Sequence, residues 1–315
     1  MKRTLIVLFF LGMSVSVFSQ TMMLVNKNDG TIDSLLLSDV KLISFKSGSA
    51  SGSQTMVQVA GGTFQMGSQS FYSNEQPVHS ATVGSFSIDK YEVTYELWTA
   101  VRKWSLTHNY SGTDSIAAGE NGFNPFGTNN PVTKVSWYDV LKWCNARSEM
   151  DGLTPVYYTS NKLSTVYRAG QIDLTADAVK WTANGYRLPT EAEWEFAARG
   201  GTNTQGYTYS GSSGIDGVAW YSSNSGYSTH PIGTKSANEL GISDMSGNGS
   251  EWCWDVYGLY SASSQTDPKG PISGSSRVLR GGSFNNGIDI CRVAYRQNNF
   301  PDFRIYNVGF RCVRD

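Results

Sequence analysis

A chain of 315 residues with a formal net charge of −1 carries no electrostatic footprint for nucleic acid or for an anionic membrane surface. Nine Trp and seventeen Tyr stand against only 16% charged residues, and there are 33 glycines. That balance points away from a helical bundle and towards a loop-rich domain tied down by aromatic anchors.

Residues 1–19 read as an export signal. Lys2 and Arg3 give the positive start, Leu5 to Val17 the apolar run, and Val17-Phe18-Ser19 the cleavage site before Gln20. The run is short for a membrane span, and no Cys follows it to accept a lipid. The expected location is secreted, periplasmic or at the cell surface, with no transmembrane segment after cleavage. In that oxidising setting Cys144, Cys253, Cys291 and Cys312 read as two disulfides. Spacing does not choose among their three pairings, and none shows the C-x-x-C pattern of structural zinc.

Residues 20–46 read as a small β unit. Met22–Val25 and Ile32–Leu37 flank the tight-turn signal Asn28-Asp29-Gly30, and Leu42–Phe45 would add a third strand. Residues 47–55, rich in Ser and Gly, read as a flexible linker. From Met56 to Asp315 the main domain begins with strand patterning at Met56–Val59, a Gly61-Gly62 turn and a second strand to Met66. Pro77–His79 and Ala81–Ile88 continue the sheet. Thr94 is placed to cap a helix carrying Leu97, Trp98 and Val101. Capping boxes at Ser136–Asp139 and Thr190–Glu193 open two more, the second ending at Gly200-Gly201. Between them, Pro155–Tyr158 and Ala178–Trp181 read as a hairpin. His79, His108 and His230 lie far apart in no ligand spacing.

The last stretch has neither a helical nor a strand period. It opens with Arg280-Gly281-Gly282-Ser283 and closes with Gly309-Phe310-Arg311-Cys312, and between these blocks Asn alternates with Phe, Ile, Tyr and Asp.

Six motifs in order carry a resemblance: Gly61–Gly67, Pro131–Trp137, Arg187–Glu195, Asp244–Asn248 with Glu251-Trp252, Arg280–Ser283, and Gly309–Arg311. Together, over residues 56–314, they resemble the formylglycine-generating enzyme (sulfatase-modifying factor) family. The resemblance implies an irregular, loop-rich α+β domain with a C-type-lectin-like core and bound calcium. Asn248 and Glu251 are its implied calcium ligands, oxygen donors of the kind a hard cation takes. It also implies a Cys144–Cys312 disulfide, which leaves Cys253 and Cys291 for each other.

Enzymes of this family oxidise a substrate cysteine with copper held by two thiolates, spaced C-x-x-x-x-C just after Gly-Gly-Ser. Soft thiolates suit Cu(I). Counting forward from Ser283, the first position is Asn286 and the second Cys291; counting back from Arg296 leaves a gap. An amide cannot replace a thiolate, so no catalytic residue is assigned and copper is not expected. A formylglycine-generating oxidase acting on a target protein's cysteine is the competing expectation.

The replacements among the asparagines suggest another use. Randomising the adenines of an Asn codon yields Phe, Ile, Tyr, Asp, Gly and Ser but never Trp, Met, Lys, Glu or Gln. The segment largely keeps to that set and resembles variable proteins of diversity-generating retroelements, some of which use this scaffold. The expected recognition residues are Phe284, Asn285, Asn286, Ile288, Asp289, Ile290, Tyr295, Asn298, Asn299, Phe300, Phe303, Ile305 and Tyr306, presented to a protein or glycan ligand.

Overall fold

The computed structural model describes residues 55–124 and 129–315, together with four strands nearer the start of the chain. The chain divides after residue 50 into two compact units.

The first unit is an antiparallel meander of β1 (Val7–Phe10), β2 (Met13–Phe18), β3 (Met22–Asn26) and β4 (Ile32–Leu36), paired in chain order. β3 and β4 are the two strands expected on either side of Asn28-Asp29-Gly30. The expected third strand at Leu42–Phe45 lies outside the described residues, as does the linker at 47–54. The apolar stretch read as an export signal supplies β1 and β2, because a run of Val, Leu and Phe suits a strand.

The second unit begins with β5 (Met56–Val59), β6 (Gly62–Met66), β7 (His79–Val83) and β8 (Phe86–Asp89). Here β5 pairs with β8, and β6 with β7. Two chain reversals therefore cross closely. A Cβ on Gly61 would lie 2.7 Å from the Gly84 carbonyl carbon, so only glycine fits.

Helix α1 (Tyr95–Ser105) starts where Thr94 Oγ1 accepts the Leu97 N–H. Helices α2 (Trp137–Met150) and α3 (Glu191–Ala198) both start in complete capping boxes, at Ser136 with Asp139 and at Thr190 with Glu193. α2 buries every residue from Trp137 to Ser148, so it runs through the core rather than along a surface.

The expected hairpin at 155–181 shrinks to a single antiparallel bridge, Tyr157 to Val179. The buried Asn145 side chain takes over part of the ladder's work. It donates to the Tyr157 and Tyr167 carbonyls and accepts the Val156 and Tyr157 N–H groups.

Later strands are short: β9 (Glu120–Asn121), β10 (Val132–Thr133), β11 (Ser250–Val256), β12 (Gln265–Thr266), β13 (Arg277–Arg280), β14 (Gln297–Asn299), β15 (Val308–Gly309) and β16 (Val313–Arg314). One four-stranded sheet has the order β14-β13-β11-β15; β16 joins β8 and β5 in another. One core cluster gathers Trp98, Trp137, Trp143, Trp252 and Trp254 around α1 and α2. A second packs α3 against the β5–β8 strands through Trp194, Phe196, Phe86 and Ile88.

Four of the six sequence motifs meet one another through buried ion pairs, and residues outside the motifs add more. Arg311 meets Glu251 at 2.7 Å, Arg280 meets Glu195 at 2.6 Å and Glu191 at 3.1 Å, and Arg296 reaches Glu191 at 2.6 Å. Arg187 pairs with Glu193 at 2.8 Å, Arg292 with Glu75 at 2.6 Å and Arg147 with Asp89 at 3.1 Å. A loop-rich chain with few ladder bonds is held in register by these charge-assisted contacts.

Candidate recognition site

The segment between Ser283 and Val308 is anchored at both ends before it reaches solvent. The Phe284 N–H donates to the Asn248 carbonyl at 2.8 Å, and Ser250 N–H donates to the Asn307 carbonyl at 2.9 Å. Between these ties the chain forms a 3-10 turn at Ile288–Cys291, then β14, then a second loop back to β15.

A cleft of about 490 Å³ lies over the β14-β13-β11-β15 sheet, with each strand contributing to its lining. Ser250 and Leu279 belong to the central strands, and Tyr295, Asn298, Asn299, Ile305 and Tyr306 to the walls. Five of the thirteen expected residues therefore converge on one cavity. Phe300 and Phe303 stand beside each other on the exposed loop, ring centroids 5.4 Å apart. They are 50% and 46% exposed, an unusual state for paired phenylalanines.

Asn285 and Asn286 are half-buried and do not line the cleft. Ser283 Oγ lies 2.7 Å from Asn285 Oδ1 and 2.6 Å from Asn286 Oδ1, Asn307 Nδ2 donates to Ser283 Oγ and Asn285 Oδ1, and Asn285 Nδ2 donates to the Tyr306 hydroxyl at 2.9 Å. Ile288 and Asp289 are exposed, and Ile290 is half-buried, on the 3-10 turn. They do not line the cleft.

Phe284 corrects the expectation. It is 0% exposed, with its ring stacked 5.5 Å from Phe123 and near Tyr227 and Tyr306. It lies two residues after the Gly281-Gly282 turn, where both glycines take positive φ. Phe284 supports the surface from beneath and does not belong to it.

Other contributors come from distant loops. Asn74 lines the cleft, donating through Nδ2 to the Tyr257 hydroxyl and the Arg296 carbonyl. Tyr72 meets Tyr295 edge-on at 5.3 Å, and exposed Tyr227 packs against Phe123. Composition offered one signal: residues 121–124 draw on the same Asn, Phe and Gly as the segment that Phe123 touches. Two buried polar atoms at the cleft, Asn74 Oδ1 and Ser250 Oγ, have no hydrogen-bond partner among the described residues.

The family model for the sulfatase-modifying factor enzyme 1-like domain matches residues 44–315. The chain belongs to the sulfatase-modifying factor family. Its relatives include the chaperone protein LppX of Paenibacillus barcinonensis, 37% identical over 79% of this chain and 85% of that protein. The formylglycine-generating enzyme of Streptomyces coelicolor is 32% identical over 82% and 88%. Among solved structures, Treponema denticola variable protein 1 superposes with a TM-score of 0.67 at 34% identity, covering 82% of this chain and 94% of that one. The α+β, loop-rich fold expected from the motifs is thus the family fold, and its likeness extends to a variable protein.

Against this family background the cysteines are informative. All four are free and buried. The Cys144 and Cys312 sulfurs lie 3.7 Å apart, joining α2 to the last strand region. Cys253 sits in the α3 core cluster, whereas Cys291 packs with Tyr209, Val218 and Tyr221 in a small separate one. Burial pushes the Cys291 thiol up to about 12, so it stays protonated at neutral pH. Counting from Ser283, an amide, Asn286, and a buried thiol, Cys291, stand at the positions where the family motif would put paired soft donors.

The side chains of Asn248 and Glu251 are spent on internal bonds. Asn248 Oδ1 accepts the His230 N–H, and its amide donates to Glu92 at 2.6 Å. Glu251 holds Arg311 and accepts the Trp194 indole N–H at 2.8 Å. Around them, Glu92, Asp244 and Glu251 lie buried near the Arg311 guanidinium. Burial, then Asp244 and Glu251, push the Glu92 carboxyl well above its ordinary range, and burial raises Asp244 to about 6. No three His, Cys, Asp or Glu side chains among the described residues converge as ligands, so backbone carbonyls of the turn would complete any set.

Proposed function

We propose that this family member is an exported ligand-binding protein, not an oxidase. The observation that carries the reading is the replacement of the paired thiolates. Where the family motif would place the first, the Asn286 side-chain oxygen is held by Ser283, and the nearest following thiol, Cys291, is buried and protonated. The cleft that remains is lined by amides and tyrosines, side chains that bind through hydrogen bonds and flat apolar faces at low entropic cost. Asn74 Oδ1 and Ser250 Oγ lack partners there, and a ligand offering hydrogen-bonding groups would satisfy them.

The likeness to Treponema denticola variable protein 1 supports a further element of the reading, that the segment from Asn285 to Tyr306 is diversified by a retroelement. The export signal at residues 1–19, the Cys144–Cys312 disulfide and a calcium ion near Asp244, Glu92 and Glu251 belong to the same proposal.

The test has two arms. Purified protein incubated with Cu(I) and a cysteine-bearing peptide is expected to yield no aldehyde; formylglycine in the product overturns the binding reading. The DNA flanking the gene is expected to hold a near-copy of the 284–307 coding stretch differing at adenines. Its absence removes diversification and leaves a fixed binder.

A further inference from the structure

Of the buried arginines among the described residues, Arg147, Arg187, Arg280, Arg292, Arg296 and Arg311 each have a carboxylate in contact. Arg277 does not. It is 5% exposed and donates only to carbonyls, Nη1 to Trp254 at 3.0 Å and Nη2 to Leu174 at 3.3 Å. Its guanidinium lies 3.7 Å from the Trp137 ring centroid and 5.5 Å from that of Trp254. The acid that influences it most is the exposed Asp173, already accepting the Tyr138 hydroxyl proton. A desolvated cation without an anion is costly, and two carbonyls and two indole faces return only part of that cost. Burial correspondingly lowers the Arg277 pKa to about 10.

Arg277 also lines a cavity of about 380 Å³ that shares no lining residue with the recognition cleft. Its walls are apolar and flat, built from Trp254, Val256, Leu174 and Pro271. A second cation, Lys269, also lines it, with its ammonium 4.1 Å from the Trp181 ring centroid. Asp177 is the one acid in the lining, and it is engaged by the Thr175 hydroxyl.

We propose that this cavity is a second ligand site, for a small organic carboxylate carrying a flat apolar body. A guanidinium has five N–H donors, of which two are used here, so a carboxylate has donors left for paired contacts. The apolar body would lie against Trp254 and Pro271, and Lys269 would add a second charge contact. The proposal is independent of what the recognition cleft binds.

Benzoate is a suitable probe. Titrated calorimetrically into the full chain, it is expected to bind one to one and to raise Tm. Neutral benzamide and inorganic sulfate are expected to bind at least about tenfold more weakly. Arg277→Met is expected to abolish benzoate binding while leaving the ligand-free Tm unchanged or higher, since it removes an uncompensated charge. Should that variant fail to fold, Lys269→Ala decides the matter, with an expected loss of about tenfold in benzoate affinity. A fall in the ligand-free Tm of Arg277→Met with benzoate affinity retained is the signature of a purely structural arginine and sinks the proposal. So does sulfate binding as tightly as benzoate, no benzoate heat at millimolar concentration, or unchanged affinity in Lys269→Ala.

Discussion

Two parts of this molecule solve the same problem in opposite ways. The motif blocks and the segment they bracket are both irregular backbone, and both are rich in polar side chains. In the blocks, the charged groups are buried and answered by a charge of opposite sign, as Arg311 is by Glu251 and Arg280 by Glu195. In the segment, apart from the ion-paired Arg292, Arg296 and Arg304, the polar groups are mostly neutral amides and aromatics reach solvent, as at Phe300 and Phe303. Buried ion pairs tolerate no single replacement, because the surviving partner is stranded. Exposed amides and rings tolerate many. A surface can therefore vary only where the scaffold has moved its own stability elsewhere.

The largest expected effect lies in the framework. Arg311→Met leaves Glu251 buried without its cation, and a loss of about 3–5 kcal/mol is expected in urea unfolding. Phe284 sharpens the comparison, because it sits within the segment but behaves as core. Phe284→Ala is expected to cost about 3–5 kcal/mol. Calcium comes next: at about a hundredfold excess over Kd it is expected to add about 2.7 kcal/mol, lost on chelation, with Asp244→Asn abolishing the effect.

Asp255 gives a pH-dependent case. Burial and Glu191 raise its carboxyl to about 8, so the folded chain holds a proton that the unfolded chain has released above its ordinary pKa. Stability from this group is present below the ordinary aspartate range and falls as pH rises to about 8. Asp255→Asn is accordingly expected to raise Tm at pH 8 and to leave it nearly unchanged at pH 4. The smallest effect is expected at Phe303→Ala, within about 0.5 kcal/mol of wild type by thermal unfolding.

The helices were legible because their signals are local. Ser136 with Asp139 and Thr190 with Glu193 announce helix starts within four residues, and the structure forms both boxes. The motif blocks were legible as blocks but not as partners. Nothing in Gly-Phe-Arg says that Arg311 answers Glu251, sixty residues away. The candidate site was half legible. Tyr295, Asn298, Asn299, Ile305 and Tyr306 could be picked by composition, whereas Asn74 reaches the cleft from more than two hundred residues away in sequence. Phe284 was misread because composition does not tell which way a side chain leaves a glycine turn.

One consequence follows from the position of β16. Arg187 and Val313 exchange both backbone hydrogen bonds, and Val313 also pairs with Ile88 in the sheet of β5 and β8. This clasp is translated after the recognition segment, and residues throughout the core wait for it. Any alteration of the segment that introduces a stop codon or shifts the reading frame deletes the clasp as well. The frame that holds the segment is therefore completed only by residues that follow it in the chain.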